Sequence, residues 1–304
     1  MAHGIMFHHF FDDLHPRGQG AMSAEELDRL IDHVGPGDVL PAREWQRRAE
    51  AGALGPADLC LTFDDNLRCQ FDVALPVLRR RGMTAFWFVY TSVLEGRLER
   101  LELYRLFRTL HYRSTEAFYD AFLGEVSAGE DGPLVRARLA GFRPADHLRD
   151  FPFYTDADRT FRFVRDEVLG PAWYFEVMDR MMSAVDVPAM ARGLWMDADA
   201  LRTLHGEDHV IGLHSHTHPT RIGNLPAAGQ RAEYGANSAA LTELLGERPT
   251  SMSHPCNSYS ADTAPVLAAL GVRLGFRANM AQQQHGPLEF PREDHANLLR
   301  RMAA

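Results

Sequence analysis

Two short stretches of the sequence hold side chains whose types and spacing could do chemistry. In the first, Leu59-Cys60-Leu61-Thr62-Phe63 runs straight into Asp64-Asp65-Asn66. Adjacent carboxylates repel unless one binds a cation or holds a proton. The pair therefore suits divided labour, one acid on a metal ion and its neighbour moving protons. The plainer alternative is that one of them only N-caps the next helix. In the second stretch, the β-like run 210–213 leads into His214-Ser215-His216-Thr217-His218-Pro219. Neutral imidazole is the commonest metal-binding side chain. Four residues apart, His214 and His218 can meet on one side of a helical turn. With Asp65 they offer two nitrogens and one oxygen and leave positions for water and substrate. That set suits zinc, and also cobalt, nickel or iron(II). A surface histidine cluster is the alternative.

The elements that must position these residues follow from pattern. Short apolar runs read as buried parallel strands, and α/β folds place their chemistry at the carboxyl ends of such strands. Runs of this kind lie at 4–7, 59–63, 84–90, 210–213, 250–253 and 274–277, and 288–295 closes the set. Ser23-Ala24-Glu25-Glu26 is a capping-box helix start. Further helices are expected at 42–51, 71–81, 226–245 and 261–270, the alternation that builds a parallel sheet. Residues from about 92 to 195 differ, being rich in Phe, Tyr and Arg. Helical patterns fall at 101–110, 115–126, 160–169 and 173–182. Without a repeat or linker, the chain reads as one domain, 1–304, with a helical insertion at about 92–195. The insertion could cap a site, form a homodimer contact through residues such as Phe151, Phe153 and Tyr154, or pack only on the outside.

Three motifs resemble one family. Thr62-Phe63-Asp64-Asp65, His214-Ser215-His216-Thr217-His218-Pro219 and Ser253-His254-Pro255-Cys256-Asn257-Ser258-Tyr259 are similar in order and spacing to the first three motifs of the polysaccharide deacetylases. These are the chitooligosaccharide-deacetylase-like amide hydrolases of carbohydrate esterase family four. The resemblance covers roughly residues 57–91 and 196–300 and the opening strand. It implies an α/β fold, a distorted (β/α) barrel of the polysaccharide deacetylase type with a helical insertion. It also implies a metal-dependent hydrolase that removes an N-acetyl group from an amino sugar of a surface polysaccharide, lipopolysaccharide or its precursor. Carried over residue by residue, Asp65, His214 and His218 are metal ligands and Asp64 is the general base.

The same resemblance places His8, with His9, at a strand end that lines the pocket. It gives the Cys256 backbone N–H to the oxyanion, and makes His254, Asn257 and Tyr259 part of the groove wall. The family's usual glycines after the paired aspartates and after the Pro-aromatic step are here Asn66 and Asn257. Asn tolerates the left-handed region best among non-glycine residues, so both turns can persist, with polar side chains added near the site. The Arg that many members carry in motif three is replaced by Ser253, as in branches with a Ser-x-Pro version. Arg292 is the expected substitute partner of Asp64. His295 is expected as general acid, although the family's Leu-x-His pattern is absent. Two other readings remain open at this stage: a deformylase or other amide hydrolase with a non-acetyl substrate, and a catalytically inactive carbohydrate-binding protein.

Composition is that of an ordinary folded chain: 304 residues, 45% hydrophobic, 24% charged. A net charge of −9 argues against nucleic acid or an anionic membrane as main partner. No apolar run is long enough to span a bilayer. Cys60, Cys69 and Cys256 form no metal-type pair and suit a reducing compartment. With no secretory signal visible, the cytoplasm is the expected location.

Overall fold

The structure, a computed structural model, describes residues 1–130, 132–149, 151, 153–281 and 286–303. The chain divides into two compact units, one made of Met1–Glu99 and Gly193–Ala304, the other of Arg100–Arg192.

The first unit is built on seven parallel strands. They are β1 (His3–Phe7), β2 (Leu59–Asp64), β3 (Phe86–Val89), β4 (Val210–Leu213), β5 (Ser251–Ser253), β6 (Leu274–Phe276) and β7 (Arg292–Asp294). Their order is β6-β5-β4-β3-β2-β1-β7. The two ends of this sheet nearly meet. Phe276 bridges Phe290, two residues before β7, and the Arg277 N–H donates to the Phe290 carbonyl at 3.0 Å. The result is the distorted (β/α) barrel that the motifs imply.

Period-two alternation sorts the side chains of each strand. Ile5, Phe7, Leu61, Phe63, Trp87, Val89 and Leu213 join the core beneath the helices. Cys60, Phe86, Phe88, Leu274 and Phe276 form a separate inner cluster. The inner face has no spare room near β4. A Cβ on Gly212 would lie 2.6 Å from the Phe88 ring and 2.7 Å from Ser251 Oγ.

Three helices precede the second unit. Helix α1 (Ala24–Val34) starts at the expected capping box, with Glu26 N–H on Ser23 Oγ at 3.2 Å and Ser23 N–H on Glu26 Oε2 at 2.8 Å. Helix α2 (Ala42–Glu50) sends Ala42 and Trp45 into the inner cluster. Helix α3 (Leu75–Arg81) is shorter than expected, because a wide, i→i+5 bonded turn occupies Gln70–Ala74. Pro76 explains the break: it has no N–H to donate back and its ring crowds the preceding turn.

Among the described residues, the second unit has helices and no strand: α4 (Arg100–His111), α5 (Thr115–Ala128), α6 (Gly132–Ala140), α7 (Asp156–Phe163), α8 (Gly170–Met181) and α9 (Val187–Met190). It has its own aromatic core around Phe107, Phe118, Phe122, Phe161 and Tyr174. The pattern expected at 160–169 begins earlier, at a Thr155–Asp158 capping box, and ends as a wide turn over Val164–Leu169. Helices α6 and α9 carried no clear sequence signal, having few apolar repeats.

The barrel resumes with α10 (Ala198–Gly206), capped by Asp197 through the Ala200 N–H at 2.8 Å, then α11 (Ala227–Leu245), α12 (Thr263–Ala269) and α13 (His295–Met302). Among the described residues no helix is long and apolar enough to cross a membrane.

Candidate active site

The motif residues gather at the carboxyl ends of the strands. Asp64 ends β2 on the inward face. Asp65 and Asn66 then adopt φ of +79° and +56°. That left-handed turn breaks the strand alternation, so two adjacent carboxylates reach one site. The Nε2 atoms of His214 and His218 each lie 3.4 Å from Asp65 Oδ1. One donor atom from each of the three residues lies within 4.8 Å of the others, and all three residues are buried. For bonds of roughly 2.1 Å, tetrahedral coordination spaces neighbouring donors by about 3.4 Å. Asp65 Oδ1 is buried without a hydrogen-bond partner, as an oxygen facing a cation would be. The donor set therefore fits a divalent ion. The His214 Nδ1–H donates to the Ser253 carbonyl at 2.9 Å, which leaves Nε2 as the lone-pair side. His218 Nδ1 sits 3.9 Å from Glu99 Oε1.

These two histidines are not on a helical turn. The segment after β4 is a loop in which Ser215 and His218 have φ of +64° and +55°. Hydrogen bonds from neighbouring elements, not a helix repeat, set their spacing. His216 turns to Thr91, with Nδ1 3.0 Å from its Oγ1.

Asp64 is held by Arg292 from β7, as expected. Nη1 donates to Oδ1 at 2.7 Å and Nη2 to Oδ2 at 2.8 Å. The guanidinium is fully buried and its Nε–H donates to the Arg277 carbonyl at 2.9 Å. Ser253 stands where an Arg was missing from motif three. Its Oγ accepts from Arg292 Nη2 at 2.7 Å and donates to Asp64 Oδ2 at 3.1 Å. The small serine leaves space for the arginine of β7, which lies just beyond β6 where the two ends of the sheet nearly meet. Burial pushes the Asp64 pKa up, but the Arg292 charge and hydrogen bonds, with His214 and His8 nearby, together outweigh it and hold the carboxyl below its ordinary range. Asp65 is likewise held low, with burial opposed by its contact with His214 and the charge of His218.

His8, just past β1, has Nε2 3.9 Å from Asp64 Oδ2 and 3.9 Å from Asp65 Oδ2. Its side chain is 28% exposed, so it can meet both solvent and the acids. Gln70 Nε2 donates to the His8 carbonyl at 2.8 Å and to the Asp64 carbonyl at 2.5 Å, which locks the two strand tips together.

His295 is not brought to the site, contrary to expectation. Its ring stacks on Phe7 at 5.7 Å, Nε2 lies 2.9 Å from the Gly20 carbonyl and Nδ1 3.2 Å from the Met6 carbonyl. The reason is parity. Three residues beyond the inward Arg292, His295 falls on the outward face with Phe7. The same rule puts Gly4, Met6 and His8 on the inward face of β1, so His8 was identifiable from alternation.

The third motif forms a turn over Pro255–Asn257, with Cys256 at φ +51° and Asn257 at φ +56°. Both asparagines take up the left-handed backbone, and each side chain bonds a backbone group, with the Asn66 Oδ1 left buried without a partner. Asn257 Oδ1 accepts from the Ala278 N–H at 2.8 Å, and Asn66 Nδ2 donates to the Met196 carbonyl at 3.3 Å. His254 is buried, with Nε2–H on the Leu288 carbonyl at 2.9 Å, and burial lowers its pKa to about 4. It supports the Tyr259 ring, stacked on it at 4.4 Å, and is itself shut away from substrate.

A parallel barrel with an Asp-His-His cluster and an Arg-held Asp at its strand tips defines the class: a distorted (β/α) barrel with a candidate metal-ligand constellation. The family model described as polysaccharide deacetylase matches residues 176–275. The matched stretch holds the second and third motifs, His214–Pro219 and Ser253–Tyr259. The fold is similar to the Streptococcus pyogenes deacetylase PplD in complex with acetate, with a TM-score of 0.57, 13% identity, and 96% of this chain and 91% of that one covered. IcaB from Ammonifex degensii gives 0.55 at 13% identity, covering 99% and 95%. The BpsB deacetylase domain from Bordetella bronchiseptica gives 0.52 at 14% identity, covering 96% and 94%. A curated gellan lyase from Bacillus sp is 35% identical over 77 residues, which are 25% of this chain and 3% of that protein's length.

Proposed function

We propose that this chain is a metal-dependent hydrolase that removes an N-acetyl group from an amino sugar of a surface polysaccharide, lipopolysaccharide or its precursor. The observation that carries the reading is the convergence of Asp65, His214 and His218 at donor spacing, beside an Asp64 held ionised by Arg292. Asp65, His214 and His218 would hold the ion, with zinc the expected species and cobalt, nickel or iron(II) compatible. When bound, such an ion supplies Lewis-acid polarisation of the amide carbonyl and acidifies water. Asp64 acts as the base that takes the proton of the attacking water. Arg292 and Ser253 fix its plane, and Oδ1, with the one Arg292 donor, keeps a lone pair for that proton. His8, beside both carboxylates and open to solvent, donates the proton that lets the amine leave. We assign the oxyanion to the Cys256 backbone N–H, following the family resemblance.

The test is acetate release from N-acetylated glycans by protein loaded with zinc or cobalt. Chelation should abolish turnover and metal should restore it. Asp64→Asn and His8→Gln should each lower kcat by about 10²–10⁴-fold, whereas His295→Gln should keep kcat near wild type. Unchanged turnover in metal-replete Asp64→Asn would overturn the mechanism. Loss in His295→Gln with none in His8→Gln would reverse the assignment of the acid.

A further inference from the structure

Helix α11 carries a polar face where a barrel helix ordinarily carries an apolar one. Gln230, Glu233 and Asn237, three and four residues apart, share that face. Asn237 is fully buried. Its Oδ1 accepts from the His214 N–H at 3.0 Å, and its Nδ2 donates to the Val89 carbonyl at 2.9 Å and to Thr91 Oγ1 at 3.2 Å. It therefore ties the tips of β3 and β4 to the helix. One turn earlier, Glu233 Oε2 accepts from the His216 N–H at 3.1 Å and the Thr217 N–H at 2.8 Å, and Oε1 accepts from Thr217 Oγ1 at 2.7 Å. Between these anchors the chain holds Ser215 in the left-handed region at φ +64°, and directly after them His218 at φ +55°. Non-glycine residues persist there only when their surroundings over-determine them.

We propose that Asn237 and Glu233 are positioning residues that preset the 214–218 segment for a divalent cation. Asn237 fixes the backbone of His214. Glu233 fixes the turn that delivers His218. Together they hold both Nε2 atoms at 3.4 Å from Asp65 Oδ1, although the histidines themselves lie on a loop. This rests on the metal reading above and goes beyond it, since neither residue reaches the donors. The segment's strained backbone is the state that the free loop would leave once either anchor is removed.

The experiment uses the full chain stripped of metal, titrated with Co(II) and Zn(II) against a chromophoric chelator, with the visible Co(II) spectrum recorded as a reporter of ligand geometry. Asn237→Ala and Glu233→Ala should weaken affinity roughly 10–100-fold and alter the cobalt bands. Glu233→Gln keeps one acceptor oxygen and should fall between Glu233→Ala and wild type. Leu241→Ala, on the same helix and fully buried, should lower the melting temperature yet leave affinity and spectrum as in wild type. Should Asn237→Ala fail to fold, the half-buried Glu233 still decides the matter. Wild-type affinity and spectrum in both alanine variants would overturn the proposal while leaving the metal reading intact. A wild-type protein that binds neither ion would overturn both.

Discussion

The two ends of the barrel carry the same kinds of charged residue and treat them in opposite ways. At the carboxyl ends of the strands, Asp64, Asp65, His214 and His218 are more than nine-tenths buried, as is Arg292, whose side chain reaches Asp64 from the start of β7. At the amino ends, Glu50 pairs with Arg273 at 3.2 Å, Arg43 with Asp208 at 3.4 Å and His205 with Glu247 at 3.7 Å, and every one of these side chains is at least a quarter exposed. Solvent screening makes the second group worth little to stability, whereas a buried charge must be matched by partners. Burial, not composition, separates the charges gathered at the candidate site from those at the rim.

That contrast can be broken at its strongest point first. Arg292→Met leaves the Asp64 carboxylate buried without its cation, and should cost about 3–5 kcal/mol of folding stability. Urea unfolding measures it, and a loss below about 1 kcal/mol would mean that the pair is far more hydrated than its geometry implies.

The next effect lies just inside the amino end, where His209 is buried with Nδ1 accepting the Ala85 N–H at 3.0 Å. Burial lowers its pKa to about 4, against an ordinary 6.5. Between those values the unfolded chain binds a proton that the folded chain refuses. Stability is thus full above pH 6.5 and falls as pH drops toward 4, by about 3 kcal/mol for this group. His254 behaves alike. His209→Gln should flatten the decline in stability over that window by about that amount, and an unchanged decline would sink the assignment.

The smallest effect belongs to the rim. A double-mutant cycle on Glu50→Gln and Arg273→Gln should return a coupling of about 0.2–1 kcal/mol, weaker in high salt. A coupling as large as that of Arg292 with Asp64 would erase the distinction between the two ends.

Much of the fold was legible because each strand is a short apolar run with its chemistry at one end. Strand β4 was located to the residue, and the others to within a few positions. Helix α3 was misjudged where Pro76 forced a wide turn, and α6 and α9 lacked the apolar repeat that betrays a helix. In the site, Asp64, Asp65, His214 and His218 were marked by type and spacing, and Arg292 by the gap that Ser253 leaves. His295 was misplaced for want of a parity count from Arg292. Asn237 and Glu233 escaped notice because polar residues at helical spacing look the same whether they face water or a ligand loop.

The sequence by itself determined the parallel alternation, the family motifs and the pairing of two acids with two imidazoles, since these follow from residue type and local period. Only the tertiary structure decided which histidine stands by the acids and how the expected arginine grips Asp64. Those choices depend on which side of a strand a residue falls and on partners more than two hundred positions apart, as Asp64 is from Arg292. No local pattern encodes a distance of that kind.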